Sequence, residues 1–315
     1  MRVNWRLSAP LAAVIFAAAC GTGTTTASSH PNGSANAPAT RPASAGASAA
    51  TGPASQAATS SRPAGSRPAS TPAGQPSSSA PASAAQVSAV RKPLAGQTVG
   101  IDPGHNGRNK DDPKFINKKI WNGREWEACD TTGTETDGGY TEARFNFNVA
   151  SYLRADLRKL GARVVFTRKN NRGVGPCVNR RARILNRAHS NVAIDIHADG
   201  GPASGRGFTV LEPVADGPNN HVIKSSLRFG SDVRSALLKY TRMPKSNYYG
   251  HNGLIRRDDV AGLNLQTQPK ILIETGNMRN ATDARLLVKT WFQKRLALAF
   301  AHAILKFLTG HWGHV

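Results

Sequence analysis

Two histidines and two glutamates stand where apolar runs of the chain end or a helix begins. "VGIDPGHNG" leads to His105, "NVAIDIHADG" leads to His197, and "KILIETGN" stops a third apolar run on Glu274. The fourth residue, Glu142, opens the amphipathic stretch "EARFNFNVASYLRADLRKLG". Two neutral imidazoles and one carboxylate, with a fourth position open to water, form a ligand set of catalytic zinc. Zinc so held lowers the pKa of its water to about 7 and polarises a carbonyl, while a second carboxylate carries the proton to a leaving amine. These four side chains suffice for metal-assisted amide hydrolysis. Spacing alone does not say which glutamate is the ligand, because the residues are scattered and no compact HExxH is present. Asp102 and Asp195 precede the two histidines and are candidates to orient them as hydrogen-bond acceptors. Asp102 fits equally a cap on the turn before Pro103.

The elements that must position these groups follow from periodicity. Residues 98–102, 162–167, 191–196, 207–211 and 270–274 read as short apolar strands. Between them, Phe145, Val149, Tyr152, Leu153, Leu157 and Leu160 share one helical face, and Gly161 is placed to stop that helix. Further helices are expected at about 178–189, 221–240 and 283–308. Strands alternating with helices predict a single α/β domain with a twisted, mostly parallel central sheet flanked by helices. In such a sheet ligands bind at the carboxyl ends of the strands, where His105, His197 and Glu274 fall. Within an insert at about 106–140, "KKIWNGREWEA" carries Asn122-Gly123 between two tryptophan-bearing arms, the signature of a two-residue type I′ hairpin. Tyr248, Tyr249, His251 and Asn252 read as a polar loop as readily as a groove lining.

Four blocks in order carry a resemblance. "DPGHNG", "TEARFNFNVASYLRADLRKLGARVVFTR", "IDIHADG" and "PKILIETGNMRN" resemble the zinc-dependent N-acetylmuramoyl-L-alanine amidases of the amidase-3 type, over roughly residues 98–308. That family cleaves the amide between muramic acid and the L-alanine of the peptidoglycan stem peptide. Carried over by position, the resemblance makes His105, Glu142 and His197 ligands of one zinc ion and Glu274 the catalytic acid/base. Three positions depart from the family pattern: Asn106 replaces a glycine, Asp199 an asparagine and Asn277 a phenylalanine. The 36 residues between His105 and Glu142 also exceed a minimal member. Two other classes remain open, a non-catalytic wall-binding relative and a zinc carboxypeptidase acting on stem peptides. Retention of Glu274 argues against the first, and the order of the blocks against the second.

The N-terminal third reads differently. Arg2 and Arg6, the apolar run Leu7–Ala19 and the small residues before Cys20 form a signal peptide over residues 1–19, too short to span a membrane. Ala-Ala-Ala-Cys resembles a bacterial lipobox, which makes Cys20 the candidate lipidation site and implies a membrane contact through an N-terminal lipid. Of the three cysteines, Cys129 and Cys177 then remain as a disulfide pair in an oxidising compartment. Residues 20–90 are almost wholly Ala, Ser, Thr, Pro and Gly without one acidic residue, the composition of a disordered tether. Residues 91–315 form the catalytic domain.

Charge narrows the partners. Five of the 41 Lys and Arg and none of the 19 acids precede residue 91, leaving 36 basic against 19 acidic residues, or +17, on the domain. Export excludes nucleic acid as the reason, so peptidoglycan with its anionic wall polymers is the expected partner of a monomeric enzyme at the outer face of the membrane or beyond it.

Overall fold

The computed structural model describes residues 92–315. The signal peptide and the whole of the tether, Cys20 included, lie outside the described residues.

Among the described residues, eight strands and seven α-helices follow in chain order. The strands are β1 (Thr98–Pro103), β2 (Lys119–Trp121), β3 (Trp126–Ala128), β4 (Arg163–Phe166), β5 (Val192–Asp199), β6 (Thr209–Pro213), β7 (Leu254–Arg257) and β8 (Lys270–Asn277). The helices are α1 (Pro113–Ile116), α2 (Glu142–Lys159), α3 (Val178–Arg187), α4 (Ile223–Tyr240), α5 (Ala261–Asn264), α6 (Ala281–Leu287) and α7 (Thr290–Thr309). Six strands make one sheet in the order β4-β1-β5-β8-β6-β7, parallel throughout except where β6 runs against β8. This is the mixed, mostly parallel sheet that the alternation of strands and helices predicts.

The two faces of the sheet are covered differently. Val99, Ile101, Ile194, Ile196, Val210, Ile271 and Ile273 point to one face and join a single apolar core with residues of α2, α4 and α7. Neighbouring residues point the opposite way because side chains alternate along a strand. There the cover is α3, α5 and the insert, with smaller clusters around Leu211, Leu263 and Leu272 and around Ile120, Cys129 and Ala261. The helix α2 starts with Glu142 in its first turn and ends with Arg158 and Lys159 in its last, both favourable to the helix dipole. Gly161 follows its C-cap at φ +97°, a left-handed conformation that glycine adopts without strain.

Several expectations need correction. Strand β7 has no counterpart among the expected strands. The expected helix at 283–308 is two helices, α6 and α7, because Lys289 turns to extended backbone at φ −86°, ψ 124°. The hairpin is real, with Lys119, Ile120 and Trp121 paired to Ala128, Glu127 and Trp126, but its loop has four residues rather than two. The reason is the buried Asn122 side chain, whose Oδ1 accepts from the amides of both Arg124 and Glu125 at 2.8 Å and so draws two more residues into the turn.

Cys129 and Cys177 are joined by a disulfide across 48 residues, tying the insert to the N-cap of α3. Closing a loop of that size contributes about 3–4 kcal/mol in the chain-entropy account.

Candidate metal centre and catalytic edge

The carboxyl ends of β1, β5 and β8 bring the four groups to one edge. His197 on β5 is the register neighbour of Glu274 on β8, and His105 follows β1 by two residues. Glu142, at the first turn of α2, lies between the histidines. Its Oε2 is 3.1 Å from His105 Nε2 and its Oε1 is 2.8 Å from His197 Nδ1. One ligand atom from each of the three residues falls within 4.8 Å of the others. The imidazole rings meet edge to face, with centroids 4.8 Å apart.

Each ring is held from behind through its other nitrogen. His105 Nδ1 lies 3.3 Å from Asp130 Oδ1 and 3.1 Å from the Thr131 carbonyl, while His197 Nε2 lies 3.3 Å from Asp195 Oδ1. The contacts fix which nitrogen faces Glu142: Nε2 of His105 and Nδ1 of His197. Glu142 is anchored in turn by the amides of Thr134 (3.0 Å) and Ala198 (3.3 Å) and by Asn146 Nδ2 (3.2 Å).

Two glycines keep this space clear. A Cβ on Gly104 would sit 2.1 Å from His197 Cε1, and one on Gly133 would sit 2.7 Å from both Glu142 Oε2 and His105 Cδ2. His105 itself has φ +57°, an uncommon conformation for a residue with a side chain. Its carbonyl accepts from Arg181 Nη2 at 2.8 Å, which holds the backbone there.

The electrostatics favour positive charge at this point. Burial alone would lower the histidine pKa values, yet Glu142 and Asp130 raise His105 to about 9. Against the same burial, Asp195 and Glu142 raise His197 well above its usual range. The Glu142 carboxyl is buried too, but the two histidines hold it well below the usual carboxylate range. With their protons displaced, two imidazoles around an ionised carboxylate make a donor set suited to a divalent cation.

Glu274 has the opposite character. Its Oε2 is buried without a hydrogen-bond partner among the described residues. Burial pushes its carboxyl up to about 8; His197 opposes that shift while Glu142 and Asp199 reinforce it. A carboxyl that titrates near neutrality can both take and return a proton.

Other residues singled out in the sequence fall into place unevenly. Asp195 reaches a histidine and Asp102 does not, so the expectation that Asp102 orients an imidazole is corrected. Asp102 is buried and accepts from Thr167 Oγ1 (2.5 Å), Arg181 Nη1 (3.0 Å) and Lys270 Nζ (3.2 Å), because two cations and a hydroxyl reach it first. The three departures from the family pattern are all engaged. Asn106 accepts from Gly107 and Gly173 amides and donates to the Gly175 carbonyl; Asn277 Nδ2 donates to the Pro202 and Gly205 carbonyls. Asp199 accepts from Tyr248 Oη at 2.7 Å, which brings Tyr248 to the catalytic edge. Sequence reasoning missed Asp130, Arg181 and Lys270 altogether. Beside Glu142, a cleft of about 320 Å³ is lined by Asn106, Thr132, Gly133, Thr134, Thr141 and Arg279, among others.

A mostly parallel α/β sheet that gathers a potential metal-ligand triad beside a buried carboxyl, all at its carboxyl edge, has the architecture of a metal-assisted hydrolase. The chain belongs to the N-acetylmuramoyl-L-alanine amidase family, Amidase_3, which it matches over residues 99–306. It is 38% identical over 231 residues to the N-acetylmuramoyl-L-alanine amidase Rv3717 of Mycobacterium tuberculosis, covering 71% of this chain and 91% of the relative. Among solved structures it is similar to the N-acetylmuramyl-L-alanine amidase Ami1 of Mycobacterium smegmatis, with a TM-score of 0.65 at 37% identity, covering 69% of this chain and 99% of that one. The apo form of Ami1 from Mycobacterium abscessus gives 0.63 at 38% identity, covering 68% and 100%.

Proposed function

We propose that the chain hydrolyses the amide bond between N-acetylmuramic acid and the L-alanine of the stem peptide in peptidoglycan, with one zinc ion held by His105, Glu142 and His197. The observation that carries this reading is the convergence of Nε2, Nδ1 and a carboxylate within 4.8 Å, on the same strand edge as the half-buried Glu274. When bound, zinc supplies Lewis acidity, acidifying water and polarising a carbonyl oxygen. Glu274 then takes the proton of the attacking water and returns it to the leaving L-alanine amine. Its placement beside His197 on the same strand edge suits both transfers. The cleft beside Glu142 gives the substrate an approach.

Location follows from the same reading. An exported, monomeric enzyme with +17 on its domain acts in the cell envelope, docked on anionic wall polymer and tethered by residues 20–90, with a lipid on Cys20 as the anchor. No helix among the described residues is long and apolar enough to cross a membrane.

The test is incubation of the purified protein with muramyl peptides, before and after a chelator and again after zinc is restored. Mass spectrometry should find free peptide beginning with L-alanine and a free lactyl carboxyl on the sugar, lost with chelator and regained with zinc. Cleavage between amino acids would instead favour a stem-peptide carboxypeptidase.

A further inference from the structure

The two histidines are connected behind the metal centre by an unbroken line of buried charges. From His105 Nδ1 it runs to Asp130 (3.3 Å), from Asp130 to Arg181 Nη2 (3.0 Å), and from Arg181 Nη1 to Asp102 (3.0 Å). It continues from Asp102 to Lys270 Nζ (3.2 Å), from Lys270 to Asp195 (3.2 Å), and from Asp195 to His197 Nε2 (3.3 Å). The five groups between the histidines are all at least nine-tenths buried.

The register explains why the cations are there. Asp102 and Asp195 are direct neighbours on the parallel strands β1 and β5, pointing to the same face. Two buried like charges side by side repel, and without a counter-charge one of them would be protonated. Lys270 enters β8 opposite Ala193, two residues nearer the start of the strand, and extends its ammonium to both carboxylates at 3.2 Å. Asp195 Oδ2 is thereby engaged, which leaves Oδ1, buried without a hydrogen bond among the described residues, facing His197 Nε2 at 3.3 Å. Gly262 of α5 closes over the pair, its would-be Cβ 3.1 Å from Asp195 Oδ2 and 3.3 Å from Lys270 Nζ. Arg181 does the same on the other side, joining Asp102 to Asp130 and holding the His105 carbonyl as well.

We propose that Arg181 and Lys270 are positioning residues for metal binding, acting through Asp130 and Asp195 to fix the spacing and ring orientation of His105 and His197. A buried ion pair on its own is weak evidence for stability, since apolar residues of similar size often serve as well. Five such groups in line between two ligand side chains serve geometry. Carboxylates behind ligand histidines typically govern affinity by about 10- to 100-fold. Lys270 directly holds the carboxylate behind His197, whereas Arg181 directly holds the carboxylate behind His105 and that residue's backbone.

This inference rests on the metal reading above, and the test separates the two. The full-length protein and its Lys270→Met variant are stripped, and zinc affinity is measured by competition with a chromogenic chelator. Cobalt is then substituted and its visible d–d absorption recorded. Asp195→Asn, which keeps the size and an acceptor, is the second variant should Lys270→Met fail to fold. Leu296→Ala in the apolar core is the control for loss of stability alone. Zinc affinity should fall about 10- to 100-fold in Lys270→Met and less in Asp195→Asn, with altered cobalt bands in both. The Leu296→Ala variant should keep the wild-type affinity and spectrum. Unchanged affinity and spectrum in a folded Lys270→Met or Asp195→Asn variant would overturn the positioning role while leaving the metal reading intact. A wild-type protein that binds no zinc would overturn both.

Discussion

Along β5, Ile194, Ile196 and Ala198 face the apolar core, while Asp195, His197 and Asp199 between them face the chemistry. The same division runs across the sheet. On β1, Val99 and Ile101 go one way and Asp102 the other; on β8, Ile271 and Ile273 go one way and Lys270 and Glu274 the other. One face is held by packing that is indifferent to which apolar side chain sits where, provided volume is kept. The opposite face is held by charges whose partners must each be in place. A single strand therefore contributes to stability with one set of residues and to function with the other.

Buried carboxyls respond to this difference. On the charged face Asp102, fully buried, is kept well below its usual range by Lys270 and Arg181 in spite of that burial. Glu212 of β6 points towards α4 on the apolar side, where a Cβ on Gly230 would meet its Oε1 at 2.4 Å. There burial outweighs the attraction of Arg256 and pushes the carboxyl up to about 7. The cations beside Asp102 keep that buried carboxylate ionised, and Glu212 has no buried cation among the described residues to do the same.

Truncation on the apolar face sharpens the comparison most. Phe300→Ala in α7, a fully buried ring, should cost about 3–5 kcal/mol in denaturant unfolding. The turnover of the protein that remains folded should match wild type; a selective loss of turnover would mean that the two faces are coupled.

A smaller effect separates the faces by pH. Glu212 is protonated in both folded and unfolded chains below about pH 4.5, and ionised in both above about pH 7. Between these values the folded chain holds the extra proton, so its contribution to stability falls as pH rises through the window and then levels off. Glu212→Gln should abolish that fall, gaining about 1 kcal/mol at pH 8 after allowance for the partial access of this group to water, and little at pH 4.5. Chemical denaturation of both proteins at the two pH values measures it; an equal gain at both would remove ionisation as the cause.

How much of this was legible in the sequence follows the same line. Apolar runs ending on His105, His197 and Glu274 marked the strands and their chemical edge, because a strand buried on both faces is apolar almost throughout and a polar residue at its end is conspicuous. The brace behind the histidines was not legible. Arg181 sits in "VNRRARILNR", where it is indistinguishable from Arg180 and Arg183 on the solvent side of α3 until packing buries it. Lys270 reads as an ordinary basic residue opening a strand, and Asp130 as part of a loop. Strand β7 escaped because "LIRR" is half basic, and the break before α7 because neither Gly nor Pro marks it. Asn122 misled for a physical reason: its preference for a tight turn was overridden by the hydrogen bonds of its own side chain.

The central claim is that the charged face carries out amide hydrolysis, with Glu274 moving the proton beside a metal held by His105, Glu142 and His197. The most direct test is Glu274→Gln, assayed on muramyl peptides with bound zinc and unfolding measured on the same preparation. The variant should bind zinc as wild type does and unfold no more readily, since a buried carboxyl is replaced by a neutral amide. Its release of peptide beginning with L-alanine should fall by about 10²–10⁴-fold. A zinc-loaded, folded Glu274→Gln protein that keeps its rate would contradict the account.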